Sequence, residues 1–229
     1  MSDISEPVSS EPSAIETTGS FPPQFSMADT ERLETLLTWR RDVRHFRADP
    51  IAPHLVERLM RAMELAPSVG NSRPWRVLQV DSPALRSAIR GEFAQCNAAG
   101  ADRYTGSRRD SYLALKLAGI DIAPLQLAVF TETDPVSGHG LGRQTMASTL
   151  EQSTIMGIHS LWLVARTLGL GVGMLSILRP AQVQNILSTP DGWKFTAWLC
   201  IGYPAFEDNT PLLHRVGWQR NEPTTWQIR

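Results

Sequence analysis

The chain is predicted to form a single α/β or α+β domain, with helices covering a central sheet. Two observations carry that prediction. Stretches of helical apolar spacing alternate with short β-rich runs, with no internal repeat and no second domain. With 229 residues, 42% of them hydrophobic, the chain is long enough to bury one full core.

Residues 1–29 are rich in Ser, Pro, Glu and Thr and poor in aliphatics. Such a segment buries too little apolar surface to offset its ordering entropy, so it is expected to be disordered, leaving 30–229 as the domain. It has neither the basic start nor the apolar core of a secretory signal. A first helix, capped by Asp29 or Thr30, is expected to run through ERLETLLTWRR with Leu33, Leu36, Leu37 and Arg40 at helical spacing. A second, HLVERLMRAMELA, aligns Leu55, Leu59, Met63 and Ala66 and stops at Pro67. The loop PSVGNSRP leads to the strand-like WRVLQV. Helices over 83–98 and 106–120 follow, then a strand LQLAVFTE with both flanks buried. The glycine-rich SGHGLGRQ opens the longest helix, about 148–168, which contains Ile155, Ile158, His159, Trp162 and Ala165. A strand GVGMLSIL, a helix PAQVQNIL and a strand FTAWLCIGYP complete the core, and the tail from Ala205 to Arg229 reads as polar and extended.

A formal net charge of −1 excludes a globally basic nucleic-acid binder but leaves room for a local basic pocket. Cys96 and Cys200 lie far apart without CxxC spacing, which fits packing residues in a reducing cytosol. The five histidines are scattered, suggesting no metal site. No run approaches the ~20 apolar residues of a membrane span, so a cytoplasmic protein with no membrane partner is expected.

LGLGVG (168–173) invites a dinucleotide-fold reading, but a phosphate loop of that kind follows a strand and opens a helix. Here the order is reversed. Gly169 instead reads as a helix C-cap, and Gly171 and Gly173 as positions of close backbone approach. In WRRDVRHF, Arg40 and Arg44 share one helix face while Arg41 points elsewhere. Unwinding after Arg41 lets them converge on a phosphate; otherwise the cluster is a solvated helix end, with Asp42 paired to a neighbouring arginine. In APSVGNSRPW, Ser68 and Asn71 offer the donors and acceptors that a heterocycle edge needs. Ser176 is a lone hydroxyl among apolar strand residues; without a GxSxG elbow it does not suggest a serine hydrolase.

Taken together, RRDVRHF, APSVG, LKLAGI (115–120), LWLVARTLGLGVGMLSIL (161–178) and TAWLCIGYP (196–204) resemble the FMN-binding nitroreductase superfamily, from roughly Glu31 to the C-terminus. RRDVR with GVGxxSI, and Asp42 where ordinary nitroreductases carry serine, is similar to the branch that fragments reduced FMN with O2. That reaction makes 5,6-dimethylbenzimidazole, the lower-ligand base of vitamin B12. The resemblance implies an α+β fold with a mostly antiparallel sheet flanked by helices, and a homodimer with FMN at the subunit interface. It implies that Arg40, Arg41, Val43 and Arg44 hold the FMN phosphate and ribityl chain, that Ser68, Gly70 and Asn71 border the isoalloxazine, and that Leu117 packs nearby. Asp42 and Ser176 would also touch the cofactor and carry the chemistry, Asp42 as base or relay beside ribityl C1′ and Ser176 as a neutral hydrogen-bonding group. A flavin reductase would supply the reduced FMN. Several positions depart from the branch: Asn71-Ser72 stands where bulkier residues are usual, Arg73 replaces a glutamine, Leu150-Glu151-Gln152 stands where an Asp-Leu-Tyr sequence with a lid tyrosine is expected, and Gln219 replaces an arginine. The alternatives are an FMN-dependent NAD(P)H nitroreductase or quinone reductase, and a flavin-binding protein without activity; Asp42 favours fragmentation.

Overall fold

The computed structural model describes residues 22–115 and 119–229. The disorder expected for residues 1–29 falls outside the described residues over 1–21, whereas 22–26 lead into helix α1 (Met27–Trp39), which takes in 27–29. Its cap is Ser26, earlier than expected, because the Asp29 carboxylate accepts hydrogen bonds from the Ser26 backbone N–H (2.9 Å) and hydroxyl (2.7 Å). Helix α2 (Pro53–Glu64) opens on a proline at its first turn.

Four antiparallel strands form one sheet in the order β1-β2-β4-β3, comprising β1 (Trp75–Gln79), β2 (Leu125–Glu132), β3 (Gly171–Leu175) and β4 (Trp193–Gly202). On β2, Leu125, Leu127 and Val129 face a core shared with α2 and with α6 (Thr149–Thr167), whereas Ala128 and Phe130 face α3 (Pro83–Ala101) and α7 (Pro180–Leu187). Both faces are therefore covered, which is why LQLAVFTE reads as a continuous apolar run. The β2–β4 register jumps between Val129↔Ala197 and Phe130↔Phe195, leaving Thr196 as an extra residue. This bulge puts Phe195 and Trp198 on the same face.

Two expectations change. The span 106–120 is not one helix: α4 (Gly106–Ala114) ends before α5 (Gly119–Ile122), and Leu117 lies outside the described residues. The tail is not wholly extended, since Pro211 leads into a short helix α8 (Leu212–Arg215). Helix α1 packs along α6 but buries no residue, leaving Leu33 and Leu37 largely exposed. Among the described residues, no helix is long and apolar enough to cross a membrane.

Candidate functional site

Helix α1 ends where the arginines begin. Arg40 is already extended (φ −75°, ψ 102°), and the following residues run beside β3. Val43 N–H donates to Val172 O at 3.0 Å, and Asp42 forms a parallel bridge with Val172. The glycines of LGLGVG make this possible. Gly169 (φ +71°) terminates α6 in the left-handed region. A Cβ at Gly171 would lie 2.6 Å from Val43 Cγ2, and one at Gly173 only 2.3 Å from Val43 O. The motif is thus a helix stop followed by two clearances for the arginine run.

Asp42 is fastened at both oxygens. Met174 N–H donates to Oδ1 at 3.1 Å, and the Arg44 guanidinium donates to Oδ2. By surface area the side chain is 41% open, and that surface lines a partly open cavity beside Arg40, Arg41 and Arg44. The protein walls around it solvate an ion less well than bulk water does. Desolvation accordingly raises the carboxyl pKa above the ordinary aspartate value, against the opposing pull of Arg44, the Met174 N–H and Arg40.

The cavity has a volume of about 410 Å³ and brings together Arg40, Arg41, Asp42, Arg44 and Ser176. A smaller one of about 60 Å³ shares its arginine wall and continues toward Trp162, Asp208 and Arg215. Arg40 stacks over the Trp162 ring at 5.0 Å, and Trp162 Nε1 donates to Arg41 O at 3.3 Å. Nearby cations are already committed: Arg166 pairs bidentately with Glu207 (2.9 and 3.1 Å) and Arg215 with Asp208. By contrast, Arg40 Nε and Arg41 Nε are buried with no hydrogen-bond partner, and among the described residues neither side chain pairs with a carboxylate. Burial first, and then the charge of Arg40, lowers the pKa of Arg41. Unfilled buried donors and mutual repulsion are the conditions that a phosphate relieves, so the donor set fits the FMN phosphate. Ser176 is exposed to the cavity and makes no hydrogen bond among the described residues, unlike a structural serine tied to nearby backbone.

The loop residues Ser68, Gly70 and Asn71 are not in this cavity. Ser68 Oγ accepts from Arg73 N–H, and Val69 N–H donates to Ser153 Oγ, both at 3.0 Å. Gly70 lies against Gly138 of the glycine-rich loop. Ser153 and Trp162 are separated by about 13 Å along α6 at ~1.5 Å rise per residue, so the two groups sit toward opposite ends of one helix. Arg73 is drawn away to Glu64 at 3.3 Å.

The aromatic wall comes from elsewhere than expected. Leu150 is buried and Glu151 pairs with Lys194, so neither borders the cavity. Tyr112 of α4 and Trp218 do, with ring centroids 6.1 Å apart, and Arg108 stacks 3.8 Å over Trp218 and donates to its carbonyl. Burial raises the Tyr112 pKa, so its hydroxyl stays neutral. Asn97, Leu115 and Leu213 were also missed. Local signals were limited to LKLAGI, which begins at Leu115, and to Tyr112 three residues before it.

The chain belongs to the nitroreductase family, whose model matches residues 37–203. Within that family it is 56% identical over 205 residues to a 5,6-dimethylbenzimidazole synthase of Rhodobacter capsulatus, covering 90% of this chain and 99% of that protein. It is 49% identical to a synthase of the same name from Rhodospirillum rubrum, over 88% of this chain and 95% of the relative. Among solved structures, it resembles an iodotyrosine deiodinase bound to FMN and 3-iodo-L-tyrosine (TM-score 0.67, 19% identity, 86% of this chain and 97% of that one). It also resembles a BluB-like flavoprotein of Clostridium difficile (TM-score 0.60, 16% identity, 86% and 94%). These structural likenesses bear on the fold, which is the expected α+β arrangement of an antiparallel sheet flanked by helices.

Proposed function

We propose that this chain converts reduced FMN and O2 to 5,6-dimethylbenzimidazole, and so serves cobalamin biosynthesis. The observation that carries the reading is a single cavity in which Asp42 and Ser176 share a wall with Arg40, Arg41 and Arg44. Close identity to relatives named for this reaction supports it.

When bound, reduced FMN supplies the electrons that O2 accepts and the ring and C1′ carbon that become the product. Arg40 and Arg41, whose Nε groups lack partners, hold the phosphate, with Arg41 Nη2 tied to the Leu37 and Thr38 carbonyls at the end of α1, while Arg44 serves the ribityl chain and keeps Asp42 oriented. Val43 contributes through the backbone, tying the run to β3. Asp42 acts as base or relay for the proton at C1′, and the burial that raises its pKa makes it a better base. Ser176 offers a hydrogen bond to the flavin without adding charge. Tyr112 and Trp218 keep water from the reacting face.

The working unit in this reading is a homodimer, in which Ser68, Gly70 and Asn71 of a second copy border the flavin ring. Two features support this: that loop stands away from the cavity within one chain, and apolar Leu33, Leu37, Met60, Ile155 and Met156 are left uncovered. A flavin reductase delivers the reduced FMN, and the free cysteines fit a cytoplasmic setting.

The deciding experiment mixes the protein with chemically reduced FMN without oxygen, admits air, and analyses the small molecules by chromatography and mass. Product from the wild type but not from Asp42→Asn is expected. Intact reoxidised flavin, together with NAD(P)H-driven reduction of nitro compounds, would replace this reading with that of a nitroreductase.

A further inference from the structure

Ser176 sits in a short segment held at both ends. Upstream, Leu175 pairs with Trp198 on the β3–β4 ladder. Downstream, Leu178 is buried and Arg179 is the N-cap of α7, gripped by a single carboxylate from α3. Glu92 Oε1 accepts from the Arg179 backbone N–H (3.1 Å) and from Nε (2.7 Å), while Oε2 accepts from Nη2 (2.5 Å). Arg179 Nη2 also donates to Gln95 Oε1 at 2.9 Å, and Cys96 Sγ donates to Glu92 Oε1 at 3.1 Å.

Glu92 is only 5% exposed, although the half-exposed Arg179 shows that the pair lies just under the surface. A surface ion pair would need no bond to the main chain. Here the carboxylate holds the backbone of residue 179, three positions beyond Ser176. The same helix presents Asn97 to the cavity. Helix α3 therefore touches the cavity through one residue and anchors the serine segment through another.

We infer that Glu92, acting through Arg179, is a positioning residue that sets Ser176 against Asp42 across the cavity. The inference rests on the role of Ser176 proposed above. It predicts that Glu92 loses its influence on the reaction once the serine hydroxyl is gone.

The test is a double-mutant cycle on the full chain with E92Q, S176A and E92Q/S176A. Three quantities are measured: product formation from chemically reduced FMN after air is admitted, the dissociation constant of reduced FMN by anaerobic fluorescence titration, and the melting temperature. E92Q is expected to lower the product-forming rate roughly tenfold or more, since misplacement of ~1 Å costs on the order of 100-fold. Flavin affinity should change by less than about threefold, a split that separates positioning from binding. The double variant should be no slower than S176A alone. Where E92Q fails to fold, R179A takes its place, since it removes the guanidinium from a half-exposed position and leaves the backbone bond intact. Wild-type rates in both E92Q and R179A, or losses that multiply with that of S176A, overturn the inference. A wild-type rate in S176A instead overturns the reading of the serine itself, and the inference with it.

Discussion

Gly173→Ala tests whether the clearance between β3 and the arginine run is what places the carboxylate. The new Cβ would stand 2.3 Å from Val43 O, against about 3.4 Å for ordinary contact, so the two segments must part by roughly 1.1 Å. Two bonds cross that gap, Val43 N–H to Val172 O at 3.0 Å and Met174 N–H to Asp42 Oδ1 at 3.1 Å, and both would stretch past hydrogen-bonding range. Overpacking costs about 1–3 kcal/mol, and each lost bond about 0.5–1.5 kcal/mol. The sum, about 2–6 kcal/mol, corresponds to a drop in melting temperature of roughly 4–24 °C for a domain of this size. Asp42 moves with the run, so product formation should fall by about 100-fold. Scanning calorimetry and the air-admission assay read the two effects. Gly91→Ala is the control: nothing lies within 4 Å of its Cβ, so it should melt at or slightly above the wild type. A G173A protein with wild-type melting and full product formation would refute the reasoning.

Three other outcomes follow from the same geometry. Because the folded-state pKa of Asp42 is raised, its contribution to stability is fully present below about pH 3.8 and is lost as pH rises through the folded value. Flavin-free D42N should therefore melt above the wild type at neutral pH, with the gap closing on acidification; a constant gap or a lower melting point would refute this. Glu92 behaves oppositely. The Arg179 guanidinium holds its pKa down at about 2 rather than 4.5, so its stabilisation is present above pH 4.5 and is lost as pH falls toward 2. Melting curves of E92Q should lack that acid-side decline. Finally, mixing D42N chains with N71A chains should restore product formation, because one site of each mixed dimer then carries neither change; activity no higher than that of the separate variants counts against a shared site.

The sequence was most legible where a local rule was sufficient. Apolar periodicity placed α2 and α6, and the order of helix, glycines and strand was enough to reject a dinucleotide loop and assign Gly169 as a stop. Asp42 and Ser176 lie 134 positions apart in the chain, and only the resemblance joined them before the fold showed a common cavity. What escaped was non-local or one residue wide. The bulge at Thr196 depends on pairing with β2, which no pattern within β4 discloses. Tyr112 and Trp218 meet across more than a hundred residues, and Trp218 belongs to a tail whose polarity hid its packing. The Glu92–Arg179 clamp carried no sequence signal, because burial of a carboxylate is a property of the assembled α3–α7 contact.

The position of the APSVGNSRPW loop raises a separate question, since motifs that resemble one binding site occupy two places in the chain. Helix α6 resolves it. Near one end its Ser153 hydroxyl accepts from Val69 N–H; further along, its Trp162 ring carries Arg40 and bonds the Arg41 carbonyl. Both half-sites are therefore referenced to one rigid rod, and their separation is set by helical rise rather than by loop conformation. In the proposed dimer, the phosphate end of one helix and the ring end of its partner meet over each flavin. In that reading the distance between them depends on how the two chains pack. The exposed Ile155 and Met156 of α6, as part of the proposed contact, would then govern reaction geometry as well as assembly. Exchanging Ile155 for alanine should loosen both together: weaker self-association in sedimentation and lower product yield per bound flavin, with the Arg40–Arg44 cavity unaltered. Loss of dimer with undiminished yield would show that each chain holds a complete site of its own.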